Sequence, residues 1–70
     1  MQLRNALRWA LETLDKNDIG SPRLNAETLL MFVLGCNRAH LYSHPERELT
    51  EDERQRYEEA VAERARGVPA

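Results

Sequence analysis

The chain has 70 residues, of which 41% are hydrophobic and 31% charged, and its formal net charge is −2. It is too short for more than one domain or for a deep active-site cleft, and it is too rich in leucine to be disordered. It also has no apolar run near the ~20 residues that a membrane span requires. Cys36 is its single cysteine, so we expect a cytoplasmic domain with no intramolecular disulfide and no membrane contact. Its arginines are scattered rather than gathered into a basic face, so we expect no direct nucleic-acid partner.

The first predicted helix covers residues 3–16. Its apolar residues recur three or four positions apart and therefore share one side of a helix: Leu3, Ala6, Leu7, Ala10, Leu11 and Leu14. The polar residues 17–18 and Gly20 end this helix. Ile19, within the same turn, is predicted to fold back onto the bundle because a β-branched apolar residue gains little by facing water.

The second helix is predicted to begin at Ser21 and Pro22. A serine side chain can accept a hydrogen bond from a free helical N–H, and proline suits the first helical position. Gly35 is predicted to end the helix in the left-handed conformation of a C-terminal cap. Apolar residues lie almost all round this helix: Leu24, Ala26, Leu29, Leu30, Met31, Phe32, Val33 and Leu34. That pattern indicates a central helix that neighbours cover on several sides.

A short third helix is predicted after Asn37, whose side chain can cap it, and Pro45 limits its length. Tyr42 in this helix and Tyr57 in the next one are predicted to be core aromatic residues. Their hydroxyl groups are expected to reach the surface.

The strongest local signal begins the last helix. Thr50 and Glu53 have the spacing of a capping box, and a hydrophobic residue precedes them. The helix is predicted to continue to about Arg66, with Asp52 and Arg56 as an i,i+4 ion pair. Its apolar stripe is narrow: Tyr57, Ala60, Val61 and Ala65. The expected fold is all-α, a compact bundle of four to five short helices over residues 1–66.

No catalytic or cofactor-binding motif can be recognised. Cys36, His40 and His44 follow each other at intervals of four residues, but a metal site needs a tetrahedral set, and Pro45 shortens the helix that would carry them. Capping or surface histidines are the ordinary alternative. Neither G-x-G-x-x-G nor a P-loop is present, and no arrangement of Ser, His and carboxylate suggests a triad. We expect no catalytic residue, no metal and no cofactor in this chain.

Residues 21–30 read SPRLNAETLL, and residues 33–35 read VLG. In this order the features resemble the N-terminal domain of the HemK-type release-factor glutamine methyltransferases, whose pattern is S-P-R-x-D-A-x-x-L-L followed by V-L-G. The threonine before the last helix and the G-V-P of residues 67–69, similar to the family's G-x-P, extend the resemblance over essentially all 70 residues. Asn25 departs from the pattern, since the family usually has aspartate there, and any ionic contact of that aspartate is in doubt here.

The resemblance implies a larger enzyme that transfers a methyl group from S-adenosylmethionine to the glutamine of the Gly-Gly-Gln motif in class I peptide-chain release factors. Neither a glycine-rich cofactor loop nor the family's Asn-Pro-Pro-Tyr motif occurs here. Residues 67–70 would therefore begin the linker to an absent catalytic domain. This chain would be a non-catalytic monomer that positions the release factor and also contacts its own catalytic domain. A free-standing helical adaptor for protein interactions is the alternative.

Four residues are candidates for protein docking: Trp9, Arg4, Arg8 and Arg23. Trp9 lies outside the apolar stripe of its helix, and an exposed tryptophan often anchors an interface. Packing within the chain or against the catalytic domain is the structural alternative. Arg23 lies in the first turn of its helix, where a positive charge opposes the helix dipole. An acidic partner, in this chain or in another protein, is expected to compensate.

Overall fold

The helices of the computed structural model, which describes residues 1–67, follow the predicted order. Four are present in that range: α1 (Leu3–Lys16), α2 (Pro22–Leu34), α3 (Arg38–Ser43) and α4 (Glu51–Ala65). The same residues contain no strand, only an isolated bridge between Gln2 and Glu48. None of the described helices combines the length and the apolar character needed to cross a membrane. The all-α prediction is confirmed; the predicted linker lies outside the described residues except for Gly67.

The central position predicted for α2 is confirmed, because this helix contacts the three others. The beginning of α1 lies beside the loop that precedes α4, where the Leu3 N–H donates to the Arg47 carbonyl (2.8 Å). At the other end of the bundle, Nε of Arg64 in α4 donates to Oδ1 of Asn25 in α2 (3.0 Å). α1 and α4 therefore run in the same direction, and α2 runs against both.

The N-terminus of α1 is capped by this loop rather than by a side chain. Gln2, at the N-cap position, forms no side-chain cap hydrogen bond. The first two helical N–H groups, those of Leu3 and Arg4, donate instead to the carbonyls of Arg47 (2.8 Å) and Pro45 (3.0 Å). Since the first N–H groups of a helix have no partner within it, the loop supplies acceptors that α1 needs and joins α1 to the start of α4.

The core is one cluster of buried side chains from all four helices and the loop before α4: Leu3, Ala6, Ala10, Leu14, Ala26, Leu30, Val33, Leu41, Leu49, Tyr57 and Val61. Ile19 packs against this cluster, as predicted. Leu11, predicted to lie in the buried stripe of α1, is only half-buried and lies outside the cluster. The buried side of α1 is turned away from Leu11 and toward Trp9, because that side faces α4.

Two predictions about α2 are wrong. Ser21 has a left-handed backbone (φ 52°, ψ 58°), and its side chain accepts no cap hydrogen bond. Leu24 and Phe32, which the all-round apolar pattern placed under neighbouring helices, are 54% and 81% exposed. The reason is geometric: three neighbours, one of them the six-residue α3, cover only part of the circumference of a 13-residue helix.

The predicted caps of α3 and α4 are confirmed. Oδ1 of Asn37 accepts the His40 N–H at 2.9 Å. At α4, Thr50 Oγ1 accepts the Glu53 N–H (3.1 Å) and Glu53 Oε1 accepts the Thr50 N–H (3.0 Å), which completes the capping box. The predicted ion pair on α4 also forms, with 3.8 Å between its nitrogen and oxygen atoms: Arg56 and Asp52. All of these contacts join residues within four positions of each other, so the sequence alone determines them.

Gly35 ends α2 as predicted, with φ at 66° and its N–H donating to the Met31 carbonyl (2.8 Å). A Cβ added there meets nothing within 4 Å, so an alanine would be disfavoured by backbone conformation alone. We expect Gly35→Ala to lower the free energy of unfolding by about 1 kcal/mol, measured by urea titration. Gly20→Ala is the matched control, since its added Cβ also meets open space and its φ is not positive. The control should leave stability unchanged or slightly higher; equal losses in both variants would contradict the prediction.

Candidate protein-docking surface

The four predicted docking residues do not form one surface. Arg4 and Arg8 are one turn apart on α1 and are exposed, whereas Trp9 lies about 100° further round that helix. Arg23 is at the start of α2, and since α2 runs against α1, it lies at the opposite end of the bundle from Arg4. The structure therefore separates an arginine pair on α1 from Arg23 on α2 and places Trp9 with neither.

Trp9 is half-buried, not exposed. Its ring packs against the core and meets Tyr57 of α4 edge to face, with ring centroids 6.4 Å apart and an interplanar angle of 67°. Such a pair contributes about 0.5–1.5 kcal/mol beyond the burial of its area. Packing within the chain therefore accounts for the inner side of Trp9, and only the rest of the ring is open to a partner.

The arginines of α1 face solvent. Arg4 is anchored by its own turn, because its Nε donates to Oε1 of Gln2 at 3.2 Å. Arg8 forms no hydrogen bond or ion pair with any residue in the range 1–67. This part of α1 therefore offers positive charge to a partner.

Arg23 lies in a different setting, a shallow groove between the first turns of α2 and the short α3. We call it the α2–α3 groove, and these residues line it: Ser21, Pro22, Arg23, Leu24, Glu27, Arg38 and Tyr42. Arg23 is exposed and has no ion-pair partner within the described part of the chain, so the intramolecular acid expected for it is absent there. The one carboxylate that lines the groove, that of Glu27, is engaged by other groups.

Glu27 is a buried carboxylate, only 6% exposed. Its Oε1 accepts a hydrogen bond from Nε of Arg38 (3.0 Å), and its Oε2 accepts one from the Tyr42 hydroxyl (2.8 Å). A buried charge without partners would be strongly destabilising, so these two contacts are what make its position tolerable. They also hold Arg38 and Tyr42 in fixed places on the groove wall.

The prediction for Tyr42 is therefore wrong, since the residue is 60% exposed and its hydroxyl points inward to Glu27. The hydrogen bond to the Glu27 carboxylate raises the pKa of Tyr42, and the positive charges of Arg38 and Arg23 act in the opposite direction. Tyr57 is a core residue as predicted, but its hydroxyl is also internal and donates to the Ala26 carbonyl at 2.8 Å.

Sequence reasoning missed Glu27, although one signal was available. It is the only charged residue between Arg23 and Arg38, on the most apolar helix of the chain. A lone acid in such a segment must either face water or have internal partners. Its partners come from α3, and their positions depend on the turn at Gly35, so spacing along α2 could not identify them.

Asn25, the residue that departs from the family pattern, joins α2 to α4 and to the turn before α2. Its Oδ1 accepts a hydrogen bond from Nε of Arg64 on α4 (3.0 Å). Its Nδ2 donates to the carbonyls of Gly20 (2.8 Å) and Ser21 (3.1 Å). An aspartate could form the first contact as an ion pair but could not donate the other two. Asparagine thus exchanges charge for two hydrogen bonds that stabilise the turn before α2.

The two histidines stack on each other, with ring centroids of His40 and His44 4.3 Å apart. Nη1 of Arg47 lies 3.3 Å from Nε2 of His40. Cys36 packs against the core. Within residues 1–67, no group of three His, Cys, Asp or Glu side chains is arranged to hold a metal ion.

The helices and caps define a small all-α domain, and the α2–α3 groove lies beside its central helix. The PrmC N-terminal domain family matches residues 5–70, and the chain belongs to that family. The resemblance seen in the sequence is thereby confirmed.

Relatives with known names agree with this assignment. Over its full length the chain is 56% identical to the release factor glutamine methyltransferase of Koribacter versatilis, of which it covers 25%. Over 96% of its length it is 39% identical to the enzyme of the same name from Shewanella oneidensis, of which it covers 23%. Over 90% of its length it is 41% identical to that of Leptospira interrogans, covering 22%. The chain thus spans about a quarter of these relatives. No solved structure gives a significant match.

Proposed function

We propose that this chain is the substrate-positioning domain of a release factor glutamine methyltransferase and is itself non-catalytic. The observation that carries the proposal is the match of the whole chain, at 56% identity, to one quarter of a relative with that name. The rest of such an enzyme would hold the S-adenosylmethionine site and transfer the methyl group to the glutamine of the Gly-Gly-Gln motif. The protein would act as a monomer in the cytoplasm, where translation terminates.

A separate helical domain can increase the rate of methyl transfer by holding a large substrate. The glutamine that reacts is a small part of the release factor, and its side-chain nitrogen must be aligned with the methyl donor. Contacts far from the reacting atoms reduce the entropic cost of that alignment. The exposed apolar and cationic side chains of this bundle support such a role. Arg23, the pair Arg4 and Arg8, and the open part of Trp9 are the proposed contacts.

The test compares two substrates in the full-length enzyme that contains this chain. Deletion of residues 1–67 should raise KM for an intact class I release factor by about tenfold or more, because contacts outside the reacting motif are lost. Methylation of a short peptide that contains Gly-Gly-Gln is the control, and its rate should be unchanged. Equal losses for both substrates would contradict the proposal and indicate that the bundle only maintains the architecture of the enzyme.

A further inference from the structure

We propose that the α2–α3 groove binds a segment of the release factor in which an acidic side chain lies beside a branched apolar one. The proposal rests on the proposed function, namely that this domain holds the release factor, and it adds the place and the chemistry of the contact. Three properties of the groove support it: an apolar floor, an accessible positive charge and walls that are fixed in advance.

The apolar floor is formed by residues that a solitary bundle would not need to expose. Leu24 is 54% exposed and Tyr42 is 60% exposed, and both line the same groove together with Pro22. A single exposed leucine is ordinary on a protein surface, but an aliphatic and an aromatic side chain in one concave site can enclose an apolar group. The floor thus fits a branched aliphatic side chain of a partner.

The accessible charge of the groove is positive. Arg23 has no ion-pair partner within residues 1–67, and the side chain of Arg38 is 43% exposed beside it. The Glu27 side chain is buried, and its carboxylate accepts a hydrogen bond at each oxygen, so it has little remaining capacity for a partner's cation. Since the whole chain is acidic, with a net charge of −2, a cationic groove is a local feature that selects a carboxylate.

A second groove on the same helix lacks this property and serves as an internal comparison. It lies between α2 and α4 and is lined by Phe32, Val33, Arg56, Glu59, Ala60 and Glu63. Phe32 is even more exposed than Leu24, but two acids line this groove and its arginine is paired with Asp52. An acidic segment would be repelled there, so charge complementarity favours the α2–α3 groove.

The walls of the α2–α3 groove are held by Glu27. Arg38 and Tyr42 are both substantially exposed, and exposed side chains of these types normally sample several rotamers. Their hydrogen bonds to one buried carboxylate restrict them before any partner binds. Such preorganisation lowers the entropic cost of binding. It also gives a reason for the burial of Glu27, the one charged side chain that is buried among residues 1–67.

The test titrates the isotope-labelled 70-residue chain with an intact class I release factor and follows backbone amide shifts. We expect the largest shifts at residues 21–27 and 38–42. Arg23→Glu and Leu24→Ser should each weaken binding by about tenfold or more. Phe32→Ser and Arg56→Glu are the matched controls, since they change an exposed apolar residue and an exposed arginine at the other groove. Both controls should bind within about twofold of the unchanged chain.

Two further variants test the chemistry of the contact. Tyr42→Phe keeps the ring but removes its hydrogen bond to Glu27, so binding should weaken by a few-fold while the amide spectrum keeps its dispersion. In a second experiment, exposed acids on the release factor are replaced by lysine one at a time. One of these lysine variants should bind the unchanged chain poorly but bind the Arg23→Glu chain well, because the two charges are then exchanged. Failure to find any rescued pair would overturn the ionic part of the proposal.

The outcomes separate this proposal from the proposed function. If the release factor binds but shifts only the Arg4 and Arg8 face, and Arg23→Glu has no effect, the groove is overturned and the positioning role stands. If the release factor causes no shifts and deletion of residues 1–67 leaves KM unchanged, both fail. The groove proposal is also overturned if inorganic phosphate alone or RNA reproduces the shifts, or if the shifts follow the concentration of the chain itself.

Discussion

Leu30→Ala is expected to lower the free energy of unfolding by about 2–5 kcal/mol, the largest effect of any single substitution considered for this chain. The Leu30 side chain is fully buried on the central helix, so its truncation removes apolar contacts and leaves a cavity. A bundle of this size rarely has more than about 3–5 kcal/mol of stability in total. A large fraction of the variant should therefore be unfolded at room temperature, as measured by circular dichroism in a urea titration.

Leu24→Ala is the matched control for that experiment. It makes the same chemical change on the same helix, but Leu24 is 54% exposed and its truncation leaves no internal cavity. The control should lose less than about 0.5 kcal/mol. Similar losses of stability for the two leucines would mean that α2 is covered on the side that the structure leaves open. Leu24 would then not be available as the floor of the α2–α3 groove.

The stability of the chain is expected to fall as pH rises above about 10, the ordinary pKa of a tyrosine, with Tyr57 as the main cause. Burial of the ring raises the pKa of Tyr57, and the negative charge of Glu27 raises it further. The unfolded chain therefore releases this proton near pH 10, while the folded chain keeps it. Above that pH the folded state binds more protons than the unfolded one, so the contribution to stability, fully present below pH 10, is progressively lost.

Tyr57→Phe separates this effect from general alkaline damage. At neutral pH the variant should lose about 1 kcal/mol, because the hydrogen bond to the Ala26 carbonyl is removed while the ring stays in place. Between about pH 9 and 12 its stability should depend less on pH than that of the unchanged chain. Tyr42→Phe is the control and should retain most of the alkaline loss. The hydrogen bond to Glu27 also raises the pKa of Tyr42, but Tyr42 is 60% exposed whereas Tyr57 is buried, so the larger contribution is that of Tyr57. Parallel pH profiles for the unchanged chain and Tyr57→Phe would contradict the assignment.

The limits of sequence reasoning are clearest at the candidate site. The place of Arg23 in the first turn of α2 makes it a candidate docking residue, with an acidic partner in this chain as the alternative, and the structure adds the groove around it. Glu27 and the roles of Arg38 and Tyr42 were missed, because their hydrogen bonds join residues 11 and 15 positions apart on different helices. Trp9 lies on the side of α1 outside the apolar stripe, and for it the sequence leaves two interpretations open: an exposed interface anchor, or a side chain that packs within the chain or against the catalytic domain. The structure turns that side of α1 toward Tyr57, a residue of the last helix.

The sequence by itself determined the helix boundaries, the caps at Asn37, Thr50 and Gly35, and the family to which the chain belongs. Each of these depends on short-range interactions or on a residue pattern, and neither requires knowledge of how the helices pack. Only the tertiary structure decided which sides of α2 are covered and how Glu27 is satisfied. An apolar pattern indicates how much surface a helix can bury, but the number, length and direction of its neighbours decide which part is buried. Here three neighbouring helices contact α2, and Leu24 and Phe32 remain exposed to solvent.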